Sequence, residues 1–323
     1  IWISEVMLQQ TQVNTVIPYY NKFVASYPDL KSLSKASLDD LMLLWSGLGY
    51  YRRIKNIHLA SQIITEKYNN KFPRNFDDIL SLPGIGRTTA SAISTFSGYS
   101  KRAILDGNVK RILRRYYNIS HDNSSKTEKI LWDKSTLVTP LTKTSQFMQA
   151  MMDIGSLICK RSKPNCSMCP LKEMKCLYTD EVKKISTIKK NTKKINMYLL
   201  TIINNKNQIY LKKIKSGTLW ENLYSGPFFY TTLKMNSWLR EKNLLNIKTM
   251  NKFQINHRVT NKEIKIINHV YFLKNDKNVS FSTENWYNLA EINVGIPKYL
   301  DKALEVYRSE YEKNNVQKIE KRG

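Results

Sequence analysis

From Ile1 to about Ala150 apolar residues return at steps of three and four, as in Val13, Val16 and Ile17 or Leu41, Leu44 and Trp45. That spacing keeps them on one side of a helix. Proline and glycine interrupt the pattern near Pro28, at Gly47-Leu48-Gly49, at Pro73 and at Pro83-Gly84. The result predicts short helices with tight connections, an all-α domain over residues 1–182. Residues 183–194, rich in Lys, Thr and Asn, lose the apolar period and predict a linker. After them the texture changes. Tyr198 to Ile203, Gln208 to Leu211 and Ile264 to Ile267 are short runs rich in β-branched residues, separated by Asn and Gly. They predict a smaller α+β domain over 195–310. Residues 311–323, with Lys313, Lys318, Lys321 and Arg322, read as a basic tail.

Composition narrows the partner more than the fold. A chain of 323 residues with 41% hydrophobic content is long enough for two cores. Its 52 Lys and Arg against 26 Asp and Glu give a net charge of +26, which suits a polyanion whose counterions are released on binding. Nucleic acid is the first such partner and an acidic membrane surface the second. Charge alone does not decide, because Lys, Asn and Ile are abundant throughout, as a biased genome would also give. No apolar run approaches the roughly 20 residues that span a bilayer, and no signal peptide opens the chain. The expectation is a cytoplasmic protein. Ile1 stands where Met would, within a helical pattern, so the sequence reads as a piece lacking its N-terminal start.

All four cysteines lie between Cys159 and Cys176, with Cys166 and Cys169 between them. One compact site therefore uses all four. Disulfides suit a small secreted domain, which this chain does not resemble. Four thiolates close a zinc site, but zinc ribbons usually carry two Cys-x-x-Cys knuckles. Here a single knuckle has long arms on both sides, which better suits wrapping a [4Fe–4S] cluster, with zinc as the alternative. Lys160, Arg161, Lys163, Lys172 and Lys175 sit on the same loop, residues 159–176, so it presents a basic surface fit for phosphate.

Leu82-Pro83-Gly84-Ile85-Gly86-Arg87-Thr88-Thr89-Ala90 places a Gly-x-Gly turn directly before a helical pattern. Glycines let bare backbone approach a phosphate, and the helix start adds free N–H groups and its positive dipole end. A Gly-x-Gly alone is also an ordinary turn. With Leu-Pro ahead and small residues behind, residues 80–98 predict a helix-hairpin-helix that grips a DNA backbone through Gly84, Gly86 and Thr88. Asp106, in Leu105-Asp106-Gly107-Asn108-Val109-Lys110-Arg111, precedes another helix and reads by itself as an N-cap. Glu5, in Ser4-Glu5-Val6-Met7-Leu8-Gln9-Gln10-Thr11-Gln12, reads by itself as a solvated helix residue.

In this order the blocks resemble the adenine DNA glycosylases of the endonuclease III superfamily, from Glu5 to Cys176 and more weakly beyond. The resemblance implies a monomeric, nucleoid-associated enzyme of base-excision repair. Its partner would be double-stranded DNA in which adenine is mispaired with 8-oxoguanine or guanine, and it would flip that adenine out and hydrolyse its N-glycosyl bond. It assigns protonation of the adenine ring to Glu5 and support of the sugar cation to Asp106. Two acids are needed because adenine leaves well only once protonated, while the oxocarbenium-like sugar needs a carboxylate, as in glycosidases. The same match has Gln10 and Tyr50 fill the gap left by the flipped base. Tyr50 reads otherwise as a core aromatic beside Trp45. Asn108 would hold the reacting nucleotide, Lys110 would meet DNA, and the four cysteines would bind the [4Fe–4S] cluster. Relatives that also cut the strand carry, where Thr88 stands, a Lys that forms a Schiff base, so Thr88 implies a monofunctional enzyme.

The resemblance also makes the C-terminal domain Nudix-like, checking the base opposite adenine. Gly217-Thr218-Leu219-Trp220-Glu221-Asn222-Leu223-Tyr224 is similar to that domain's Gly-Leu-Trp-Gly-Gly-Leu-Tyr block, with an insertion and without the paired glycines. No clustered glutamates suited to a hydrolase metal appear in this part of the sequence. The family's Phe-Ser-His loop aligns with Val259-Thr260-Asn261, keeping only the hydroxyl at Thr260 as a contact to 8-oxoguanine. Three rival readings stand beside this one: an endonuclease III-like glycosylase and lyase for oxidised pyrimidines, a catalytically silent iron–sulfur DNA-binding protein, and a zinc-site binding module.

Overall fold

The structure is a computed structural model and describes residues 1–122, 124–178, 192–259, 262–273, 281 and 285–320, with side chains to residue 309. It divides into two compact units, Ile1–Lys35 with Lys55–Ile188, and Ala36–Ile54 with Lys189–Gly323. The single cut expected after residue 182 therefore misses one exchange. The segment 36–54, helical in pattern and early in the chain, is grouped with the C-terminal unit. The bonds that tie it there are long-range and polar. Ser46 Oγ donates to the Ile296 carbonyl at 2.9 Å, and Lys213 Nζ reaches Asp39 at 2.5 Å. Gly295 packs so closely that a Cβ on it would lie 2.8 Å from the Met42 carbonyl oxygen.

The first unit is helical, as its apolar period predicts. In chain order it holds α1 (Trp2–Leu8), α2 (Val13–Ser26) and α3 (Leu30–Lys35); α4 (Leu38–Leu44) belongs to the other unit, and α5 (Arg52–Tyr68) begins there. Then follow α6 (Phe76–Ser81), α7 (Arg87–Phe96), α8 (Gly107–Tyr116), α9 (Ser125–Val138) and α10 (Thr144–Asp153), which runs into a π-helical turn, Ile154–Ile158. Local caps fix the starts. The Asn75 side chain accepts from Asp77 N and Asp78 N to open α6, and Ser124 Oγ accepts from Thr127 N to open α9. The apolar face of α8, with Val109, Ile112 and Leu113, packs with Leu131, Trp132, Met148 and Met151 in one buried cluster. That packing holds the start of α8, and Asp106 before it, in a fixed place.

The second unit has a mixed sheet. Its strands are β1 (Lys193–Asn204), β2 (Gln208–Tyr210), β5 (Phe228–Phe229), β6 (Asn251–Val259), β7 (Lys262–Leu273) and β8 (Trp286–Asn288), while β3 (Lys212–Lys213) and β4 (Tyr224–Ser225) form a separate pair. The order is β6-β7-β1-β2-β8, with β5 also paired to β1. β1 and β7 are parallel over their full length, from Lys193 opposite Lys262 to Asn204 opposite Leu273. Both faces of β1 are buried from Leu199 onward, as expected of a strand covered on two sides. Helix α11 (Thr232–Glu241) packs Met235 and Leu239 against Leu200, Ile202 and Tyr271 on one face. The other face meets α12 (Lys298–Glu320) through His257 and Tyr299, whose ring centroids lie 6.0 Å apart. β1 starts two residues before the expected boundary at 195, and α12 runs into the segment read as a basic tail. Residues 183–191 of the expected linker lie outside the described residues.

Candidate active site

Glu5 lies on α1, whose helical pattern buries Trp2, Val6 and Met7 and leaves the Glu5 side chain half-buried. That position raises its carboxyl from 4.5 to about 7. Burial is the main cause, and the charge of Asp106 adds to the rise. The two acids therefore stand within electrostatic reach of each other. Asp106 is the N-cap of α8, with Oδ1 accepting from Asn108 N at 3.0 Å and Val109 N at 2.7 Å. Its Oδ2 accepts from Asn108 Nδ2 at 3.1 Å. These donors sit at the positive end of α8. One carboxyl is thus pushed toward holding its proton near neutrality while the other is surrounded by N–H groups.

An open cleft of about 710 Å³ lies over this region, lined by Leu8 and Gln10 to Gln12 at the end of α1, by Asp106 to Asn108, and by Lys110, Arg111, Arg114, Arg115, His121 and Arg161. Asp106 is the one acidic side chain among the described lining residues, whereas Glu5 does not line the cleft itself.

Two arginines missed in the sequence join the acid to the cysteine loop. Arg111 donates from Nη2 to Asn108 Oδ1 at 2.8 Å and to the Gly155 carbonyl, and from Nε to the Cys159 carbonyl at 2.7 Å. Arg115 donates to Cys159 Sγ at 3.1 Å and to the carbonyls of Lys160 and Arg161, with its guanidinium 4.5 Å from the centre of the Tyr178 ring. The available signal was their spacing of four on α8, which puts both on one face. Gly155 is needed where the π-helical turn crosses α8, since a Cβ there would sit 2.5 Å from Asn108 Cβ. Cys159, Cys166, Cys169 and Cys176 are all free thiols. Burial raises the Cys176 thiol, and the charges of the other three cysteines add to the rise, so the four share one neighbourhood. Among the described residues no group of three His, Cys, Asp or Glu side chains is arranged to hold a single metal ion.

The glycine turn joins α6 to α7 as predicted. Gly84 has φ of +77°, and a Cβ on it would meet Asn56 Nδ2 at 2.5 Å, so both conformation and space demand glycine. Gly86 caps α7. Thr88 Oγ1 donates to the Leu105 carbonyl at 3.1 Å, bracing the residue before Asp106. Lys110 Nζ is paired with Glu128 at 2.6 Å. Gln10 and Tyr50 share a property that composition does not reveal: both are non-glycine residues in the left-handed region, with φ of 58° and 51°. Tyr50 is 46% exposed, and the Arg53 guanidinium lies 5.3 Å from its ring centre. It is therefore not a core aromatic, although Trp45 nearby is fully buried. Tyr50 belongs to the second unit and the acids to the first. Thr260 and Asn261 lie outside the described residues.

Residues 3–136 match the family model described as HhH-GPD superfamily base excision DNA repair protein. Over 56% of the chain the fold matches a thermostable thymine-DNA glycosylase, with a TM-score of 0.51 and 27% identity, covering 83% of that chain. A non-covalent endonuclease III–DNA complex matches at a TM-score of 0.50 and 24% identity, over 57% of this chain and 83% of that one. Fold and site together define a helix-hairpin-helix glycosylase of base-excision repair. Among curated relatives, the adenine DNA glycosylase of Buchnera aphidicola from Schizaphis graminum is 42% identical over 318 residues, spanning 95% of this chain and 91% of that protein. The human adenine DNA glycosylase is 38% identical over 176 residues, 54% of this chain and 32% of that protein. The chain belongs to the adenine DNA glycosylase family, whose members are hydrolases of N-glycosyl bonds. No described helix is long and apolar enough to cross a membrane.

Proposed function

We propose that this chain removes adenine mispaired with 8-oxoguanine or guanine from double-stranded DNA, with Glu5 as the acid and Asp106 as the carboxylate that supports the sugar. The observation that carries the assignment is the pairing of a carboxyl raised to about 7 with a helix-capping aspartate within its electrostatic reach. The protonated Glu5 gives its proton to a ring nitrogen of the flipped adenine. The C1′–N bond then breaks with its electron pair leaving on the base. Asp106, its oxygens held by amide donors, faces the positive charge that develops on the sugar. Water adds at C1′ and loses a proton, leaving an abasic site and restoring the acid. Asn108, hydrogen-bonded to Asp106 and Arg111, orients the nucleotide. Gln10 and Tyr50 fill the helix where the base has left, and Gly84 and Gly86 hold backbone phosphate. Thr88 cannot form a Schiff base, and its hydroxyl is engaged with Leu105.

The loop 159–176 is proposed to bind a [4Fe–4S] cluster. Its four free thiols fit that group, and Arg115 directs an N–H to Cys159 Sγ. When bound, the cluster supplies cross-linking of a basic loop; visible absorption and iron content of the purified protein test it, and zinc in place of iron counts against it. The second unit, a mixed sheet with a helix on each face, is read as a Nudix-like module that examines the opposite base. The enzyme is read as a monomer that works in the cytoplasm at the nucleoid.

The test is incubation with duplex carrying adenine opposite 8-oxoguanine, followed by alkali, beside the same duplex carrying thymine glycol. Strand cleavage of the adenine strand that requires alkali is the expected result. Scission without alkali, or preference for thymine glycol, overturns the assignment in favour of the glycosylase and lyase reading. Because only Thr260 survives from the family's recognition loop, preference for 8-oxoguanine over guanine opposite adenine should be weaker than in relatives retaining Phe-Ser-His.

A further inference from the structure

Arg53, in the first turn of α5, is only 6% exposed and carries a charge that base removal does not use. Burial pushes its pKa down from 12.5 to about 10, so the guanidinium is held there against a cost in solvation. What it touches is the turn before α5. Its Nη2 donates to the Gly49 carbonyl at 2.9 Å, and the same oxygen accepts from Nε1 of the fully buried Trp45 at 3.1 Å. Gly47 N donates to Tyr51 Oη at 3.2 Å within the same turn. Three residues here are left-handed, Gly47, Gly49 and Tyr50, with φ of 93°, 77° and 51°. Glycine enters that region freely, whereas tyrosine has to be held in it. The guanidinium also lies over two rings, 5.4 Å from the centre of Trp45 and 5.3 Å from that of Tyr50. One buried group therefore grips the carbonyl just before Tyr50 and covers its ring, while Tyr50 itself stays 46% exposed. All of these residues belong to the second unit.

We propose that Arg53 is the positioning residue of Tyr50: it fixes the turn and one face of the ring before DNA arrives, so that the other face is ready to stack on the base beside the gap. This rests on the reading that Tyr50 fills that gap. Arginine suits the task because its planar fork donates to a carbonyl while its flat face lies on an aromatic ring, two contacts that a lysine ammonium does not make together. Holding Tyr50 in advance removes the ordering of the turn from the binding step. Buried as it is, Arg53 adds little to the charge that meets phosphate, and its effect falls on the complex in which the base is flipped.

The experiment measures the affinity of the full chain for two duplexes of one sequence, with the adenine opposite 8-oxoguanine or opposite thymine. A 2′-fluoro sugar at that adenine resists N-glycosyl cleavage, so binding is read without turnover. Tyr50→Ala should lower the ratio of the two affinities about tenfold, the worth of one stacked base. Arg53→Met should lower it by a similar factor, and the double variant no further than Tyr50→Ala alone. Affinity for the paired duplex should be unchanged by Arg53→Met. Losses that multiply in the double variant overturn the proposal, as does an equal fall on both duplexes. Arg53→Lys keeps the charge and should also lower the ratio while still melting cooperatively; it takes the place of Arg53→Met in the cycle where that variant does not fold. Wild-type discrimination by Arg53→Lys overturns the proposal. If neither Arg53 variant melts cooperatively, Arg53 holds the fold and not the tyrosine, and the proposal fails. The underlying reading is checked separately. If Tyr50→Ala leaves the ratio unchanged, the gap-filling assignment fails; if it lowers the ratio while the Arg53 variants do not, only the positioning role fails.

Discussion

Glu5 carries the sharpest pH signature. An acid must be protonated to act, and a carboxyl raised to about 7 loses its proton as pH climbs past that value, so single-turnover excision should fall above about pH 7. Folding also pays for this. The folded carboxyl holds its proton more tightly than the unfolded one, so the favourable contribution present below about 4.5 is lost as pH rises through about 7. Glu5→Gln should therefore abolish excision while making the protein more stable at pH 8, read by thermal melting; a variant less stable there would contradict the burial argument. Asp106 separates its two roles in a similar way. Asn also caps helices, so Asp106→Asn should melt near wild type without excising, whereas Asp106→Ala should in addition lose about 1 kcal/mol with the cap. None of this is visible in either residue alone, since an N-cap aspartate and an exposed helical glutamate are common in any chain.

The contact of α8 with the π-helical turn after α10 is where packing bears on chemistry. Gly155→Ala would drive a Cβ into Asn108, forcing the turn and the cysteine loop away from the residues that hold Asp106. We expect a loss of about 1–3 kcal/mol in stability and a larger fall in the excision rate than in duplex affinity. Equal falls in both would mean that the variant unfolds instead of displacing the acid. The helices and the glycine turn were legible in the sequence because their signals are local: apolar spacing, the Pro and Gly that interrupt it, and the Gly-x-Gly ahead of a helical pattern. The Arg111 and Arg115 bonds to Cys159 were not, since they join residues more than forty positions apart. The grouping of 36–54 with the C-terminal unit was hidden for the same reason, its bonds from Ser46 and Asp39 being made to partners far along the chain.

At the scale of the whole molecule, an excess of positive charge stands beside one acidic pair. The charge makes affinity for any duplex depend on salt, while removal of the base is proposed to depend on the two carboxylates. The two contributions should therefore come apart in a single measurement. That measurement is single-turnover excision from a duplex carrying adenine opposite 8-oxoguanine, made with saturating wild type, Glu5→Gln and Asp106→Asn, with binding followed in parallel. The predicted result is an alkali-sensitive break with wild type only, and duplex binding by all three. Excision by either variant at the wild-type rate would contradict it and place the chemistry elsewhere in the protein.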